Sequence, residues 1–133
     1  MVKLSLIKSD ATAENNGVWV EWEYGVKLLI ARSGNKNFDS FMQRVSPDVL
    51  EKMRNSDDPE HTEAMLKKAI AKTILLGWKN IDDDDGNPLK YSAKRALEFL
   101  EDDGFRDLYK FVLIQSNEQA NYRRKVEDEG AKN

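Results

Sequence analysis

Four consecutive carboxylates, Asp82, Asp83, Asp84 and Asp85, followed by Gly86, form the densest set of hard oxygen ligands in the chain. Hard oxygens in a tight loop invite a calcium ion. An EF-hand loop needs oxygen ligands at its first, third and fifth positions, glycine at the sixth and a bidentate glutamate at the twelfth. With Gly86 at the sixth, Asp83 and Asp85 fall at the third and fifth, but Ile81 falls at the first and Ser92 at the twelfth. Two essential carboxylates are therefore missing, and Pro88 interrupts the returning segment. The stretch reads better as a solvated turn, because Asp85-Gly86 and Asn87-Pro88 are turn dipeptides. His61 is the sole histidine, at the start of a helical pattern, and there is no cysteine to join it. It reads as a surface residue. No serine sits in a G-x-S-x-G elbow, and no glycine-rich phosphate loop is present. These residues predict no catalytic centre, no metal site and no cofactor.

The elements that flank the acidic turn follow from hydrophobic period. Val2, Leu4 and Leu6 alternate with Lys3 and Ser5 and predict a short strand. Residues 9–16 are polar and predict a loop. Val18, Val20, Trp22 and Tyr24 then alternate with Glu21 and Glu23, and Val26–Arg32 follows after Gly25. Two such runs joined at Tyr24-Gly25 predict a β-hairpin. From Lys36 the period becomes helical, through Phe38, Phe41, Met42 and Val45. Pro47 stops that helix, and Ser46 is placed to cap a second one carrying Val49, Leu50 and Met53. Asp58 and Pro59 predict the start of a longer helix whose apolar stripe runs from Met65 to Leu76, with Gly77 ending it in a left-handed conformation. After the acidic turn, Ser92 is the expected cap of a helix with Ala96, Leu97, Phe99 and Leu100 inside. Asp103 is placed to cap a last, long helix running from Phe105 toward Tyr122. The fold class is α+β, mostly α: a β-hairpin, or three short strands if the first run joins, then about five helices in one domain over residues 1–133. Residues 1–16 and 123–133 are expected to be mobile.

Composition sets the outer bounds. A chain of 133 residues with 40% hydrophobic and 34% charged residues can bury a modest core beneath a highly charged surface. The net charge of -3 argues against nucleic acid as the main partner. The absence of cysteine excludes a disulfide scaffold and is compatible with a reducing compartment. No apolar run approaches the roughly 20 residues of a membrane span, and no signal-peptide pattern is present.

The aromatic residues point toward binding. Trp78 and Tyr91 bracket the acidic turn and read as core residues that pin it, with Gly77, Gly86 and Pro88 as its structural punctuation. Trp19 and Trp22 have opposite parity on one strand, so they face opposite sides of a hairpin, and one of them is directed away from the main core. Exposed tryptophan is a frequent interface anchor. Trp19 and Trp22, with Tyr122 and Arg123 near the other end, are the candidate protein-contact residues. An exposed hairpin edge offers a further strand-pairing surface.

The order of these pieces resembles a known family. Gly77-Trp78, Ile81, the turn Asp85-Gly86-Asn87-Pro88 and then Tyr91-Ser92 before a leucine-rich helix look like the tail assembly chaperones of long-tailed, non-contractile (siphovirus) bacteriophages. Gly17-Val18-Trp19-Val20, Leu28–Arg32, Asn35-Lys36, Phe38, Asn121-Tyr122-Arg123 and Lys132-Asn133 extend the likeness over residues 17–133. The resemblance implies a non-catalytic late protein of virion morphogenesis, made in the host bacterial cytoplasm and absent from the mature virion. It implies binding to the tape measure protein, which is kept soluble, and recruitment of tail tube protein that displaces the chaperone. It further implies self-association and, for many members, a longer form made by ribosomal frameshifting. Ala131-Lys132-Asn133 is compatible with a slippery codon run such as GCA-AAA-AAC. The resemblance implies neither nucleic acid nor membrane as a partner. A helical client suits a groove between helices, to which Met42, Met53 and Met65 would lend adaptable contacts if exposed. The competing readings are a minor tail or tube-end component retained in the virion, a calcium-dependent module on Asp82–Asp85, and a phage or bacterial regulator, which lacks a clear helix-turn-helix here.

Overall fold

The computed structural model describes residues 1–55 and 59–124 of the chain. The expected cap Asp58, the Met53 side chain and the Ala131–Asn133 run lie outside the described residues. The described residues form a three-stranded antiparallel sheet in the order β1 (Val18–Glu21), β2 (Lys27–Ile30), β3 (Leu75–Lys79). Six helices accompany it among those residues: α1 (Ala11–Asn16), α2 (Lys36–Gln43), α3 (Pro47–Asn55), α4 (Pro59–Thr73), α5 (Ala93–Glu101) and α6 (Arg106–Ser116). The fold is thus α+β and mainly helical, with the expected hairpin at its N-terminal end.

The hairpin registers Val20 against Leu28, and β3 sets Trp78 against Leu28 from the other side. Because side chains alternate across a pleated strand, these three share the inner face. There Leu28 and Ile30 join Ile70, Ile74, Leu100 and Val112 in the core. The opposite row, Trp19, Leu29 and Gly77, lies on the outer face. The turn between β1 and β2 places Tyr24 at φ 59 and Gly25 at φ 78, so Tyr24 leaves the strand and stands 98% exposed.

Several local elements differ from the sequence reading. The Val2–Leu6 alternation forms no strand: Leu4–Ile7 is a 3-10 turn, with Leu4 80% exposed, so the alternating apolar side chains gain no burial that would fix an extended strand. The polar run after Ser9 is not a loop. Asp10 accepts from the backbone N–H groups of Thr12 and Ala13, and this cap starts α1. Gly77 does not end α4. That helix stops at Thr73, where the Asn35 amide donates to the Thr73 carbonyl at 3.0 Å and the Ala31 N–H donates to the Ile74 carbonyl at 2.8 Å. Helix-end carbonyls captured from outside need no left-handed residue. The chain is then free to pair with β2, and Gly77 becomes a strand residue with Leu76 as a bulge beside it. Asp103 caps nothing at α6; Asp102 instead accepts from Gly104 N–H and opens a 3-10 turn ahead of that helix. The last helix is also shorter than expected, ending at Ser116, and Tyr122 follows in a separate 3-10 turn. The expected caps at Ser46 and Ser92 are present, accepting from Val49 and Arg95.

Two segments far apart in the chain, Lys8–Asp10 and Tyr122–Arg124, meet. Ser9 and Arg123 form an antiparallel bridge, Asp10 N–H donates to the Tyr122 carbonyl at 2.7 Å, and Arg124 N–H donates to the Lys8 carbonyl at 2.9 Å.

Candidate functional site

The joint between β3 and α5 is built by two aromatics. Trp78 and Tyr91 meet edge to face, with ring centroids 4.9 Å apart. The Trp78 indole N–H donates to the Leu89 carbonyl at 2.8 Å, and the Tyr91 hydroxyl donates to the Leu75 carbonyl at 2.7 Å. Burial raises the Tyr91 pKa above its ordinary value. Between them the chain makes a small hairpin. Leu89 N–H donates to the Ile81 carbonyl, Asp82 bridges Pro88, and Gly86 takes φ 86 at the turn. The Asp83 carboxylate accepts from the N–H groups of Asp85 and Asn87 at 3.0 and 2.9 Å. One oxygen of Asp83 is thereby committed to holding the turn. Among the described residues, no group of three or more His, Cys, Asp or Glu is placed to hold a metal ion.

That small hairpin forms one wall of an apolar cleft of about 390 Å³. The sheet supplies Leu28 and Trp78, and the β1–β2 connection supplies Trp22 and Val26. The hairpin supplies Ile81 and Leu89, and the helical side supplies Phe99, Phe105 and Leu108. Trp78 stacks at 5.3 Å on Phe99, which stacks at 4.7 Å on Phe105, so a continuous aromatic ladder runs from the core to the surface. Phe105, at the outer end, is 39% exposed. Asp82, Asp83 and Asp84 line the rim. An apolar hollow with a one-sided acidic rim is suited to an aliphatic or aromatic anchor whose neighbours are basic. The polar groups in its lining are these three carboxylates, and the rest of it is apolar or aromatic.

Trp22 is in this cleft, half-buried, and packs on Phe111 at 5.9 Å. Trp19 is on the far side of the sheet, 43% exposed, with the Lys79 ammonium 4.0 Å above its ring. The opposite-face reading of the two tryptophans therefore holds. Tyr122 is not a surface residue: it is fully buried, donates its hydroxyl to the Ile30 carbonyl, and has Arg32 5.8 Å from its ring centre. Burial pushes its pKa up to about 12 against the lowering effect of Arg32. Arg123 donates to the Ile7 carbonyl and the Gln119 amide, which binds it to its own chain. His61 is half-buried in the first turn of α4. Sequence reasoning missed Phe105 as a cleft-lining residue because it reads as one more apolar position on a helix. Its place directly after Asp102-Asp103-Gly104 was the available signal, since a residue in a turn is seldom covered on all sides.

No helix among the described residues is long and apolar enough to cross a membrane. Neither the curated proteins nor the solved structures contain a match to the chain. Residues 33–133 match the family described as YdaY prophage protein, and with most of its length covered the chain belongs to that family.

Proposed function

We propose that this prophage protein is a non-catalytic tail assembly chaperone, which binds the tape measure protein in the host cytoplasm and hands it to tail tube subunits. The observation that carries this reading is the acidic-rimmed apolar cleft ending at the exposed ring of Phe105. A long helical client exposes apolar stripes that aggregate in water, and a cleft of this kind covers such a stripe at an anchor point. The phage origin given by the family is in keeping with it, as is the order of turn and packing residues from Gly17 onward. Self-association and a frameshifted longer form belong to the same reading.

Co-expression with a large, helix-rich tape measure protein of the same phage type tests the proposal. The expected result is that the large protein is soluble only in the presence of this chain and co-purifies with it. Equal solubility with and without this chain, and no co-purification, would overturn it. Recovery of the chain from purified virions would favour a retained tail component instead.

A further inference from the structure

A second apolar opening lies on the other side of α5. Leu97 and Phe99 are two positions apart, which sets them about 200° apart around a helix. Phe99 faces the acidic-rimmed cleft, whereas Leu97 lines a different hollow of about 380 Å³ with Phe41, Ala71 and Ala93. That hollow continues into another of about 470 Å³ floored by Val45, Val49 and Met65, and the two share Phe41, Lys68 and Lys72. Together they follow α4 from Met65 to Lys72, a rise of roughly 10 Å, or two helical turns. The rim carries Arg44, Lys68, Lys72 and Lys94, all exposed. Among the described residues, the ion pairs are Arg32 with Glu14 and Lys67 with Glu63, so none of the four rim cations has a carboxylate in ion-pair reach. The chain as a whole is acidic, with a net charge of -3. Four uncompensated cations around one apolar floor are therefore a local reversal of sign.

The geometry points to a docking groove for an amphipathic helix of a partner protein whose apolar stripe is flanked by glutamates or aspartates. The groove length matches two turns of such a helix, and the rim charge selects its flanks. This site is separate from the acidic-rimmed cleft, and the inference stands whatever occupies that cleft.

The probe is a synthetic helical peptide with leucines at i, i+3, i+4 and i+7 flanked by glutamates, beside a matched peptide with lysines in their place. Binding to the full chain is followed by fluorescence anisotropy. The glutamate peptide is expected to bind at least about tenfold more tightly, and to weaken as salt is raised. Lys68→Glu/Lys72→Glu is expected to reverse the preference, and Lys68→Ala/Lys72→Ala to abolish it, both with an unchanged circular dichroism spectrum. Should charge reversal disturb folding, the alanine pair decides alone. Equal binding of the two peptides overturns the proposal, as does indifference to both double variants. Oligomers of the wild type that dissociate on charge reversal would make the groove an interface between copies, and a DNA duplex that displaces the peptide would make it a phosphate-binding surface. Either result overturns the assignment to an acidic helix.

Discussion

The hydroxyl of Tyr122 donates to the carbonyl of Ile30 at 3.0 Å, across 92 positions of the chain. Both side chains are fully buried. Tyr122→Phe removes the donor and keeps the ring, so it is expected to destabilise by about 1–2 kcal/mol through the bond lost at a buried carbonyl. Urea denaturation followed by tryptophan fluorescence measures it. Tyr122→Ala also opens a cavity and is expected to cost about 3–5 kcal/mol.

The same residue makes stability depend on alkaline pH. Its pKa rises from an ordinary 10.0 to about 12 in the folded chain. Below the unfolded value both states hold the proton and pH has no effect through this group. Above it the unfolded state releases the proton first, so stability falls as pH rises through the folded value. The urea midpoint of the wild type is expected to drop between about pH 10 and 12, and Tyr122→Phe to lose less over that window. A residual slope is expected from Tyr91 and Tyr109, whose pKa values are also raised by burial.

Two glycines separate backbone need from packing need. Gly17 sits at φ 88, and a Cβ there would lie 3.1 Å from the Leu29 side chain and 3.2 Å from the Ile30 backbone. Gly77 has no such φ, and a Cβ there would meet Leu29 and the Trp19 ring at ordinary distances of 3.5 and 3.6 Å. Gly17→Ala is expected to cost about 2 kcal/mol or more, and Gly77→Ala less than about 1 kcal/mol. Thermal melting of the two variants side by side checks the order. A larger residue, as in Gly77→Leu, would displace Trp19 and change its fluorescence.

The four aspartates of the turn are not equivalent. Asp83 holds two backbone N–H groups, whereas the Asp84 side chain makes no hydrogen bond among the described residues. Asp83→Ala is expected to lower stability by about 1 kcal/mol and Asp84→Ala to leave it unchanged. Calcium added up to millimolar concentration is expected not to raise Tm, since a ligand stabilises only the state that binds it.

Phe105 tests the cleft. Phe105→Ala removes the exposed end of the aromatic ladder at a stability cost of about 1 kcal/mol. On the proposed chaperone reading, capture of a co-expressed tape measure protein in a pull-down is expected to fall about tenfold, as for the loss of an interface anchor. Asp82→Lys/Asp84→Lys is expected to weaken capture further and to reduce its salt sensitivity.

Residues whose structure depends on near neighbours were legible in the sequence. Ser92 caps α5, Pro47 opens α3, and alternation sent Trp19 and Trp22 to opposite faces. What escaped depended on distant partners. Gly77 looked like a helix stop because the donors that end α4, Ala31 and Asn35, arrive from some forty positions earlier. Tyr122 looked available because its acceptor on β2 is remote in sequence. The α1 cap at Asp10 was local and readable, but the polar run around it hid the signal. The cleft escaped for a third reason: its lining is chemically identical to core, and only the three-dimensional path of the Asp82–Pro88 hairpin leaves it open.

The clasp between Ser9–Asp10 and Tyr122–Arg123 carries a consequence for synthesis. A ribosome adding about 5–20 residues per second needs roughly 6–22 s to travel from Asp10 to Tyr122. During that interval Ile30 lacks the ring that covers it, and the early strands have no completed lid. On a nascent chain the clasp therefore cannot close before Tyr122 and Arg123 have been made. Slowing the ribosome between β3 and Tyr122 would lengthen the period in which the early strands stand without that ring.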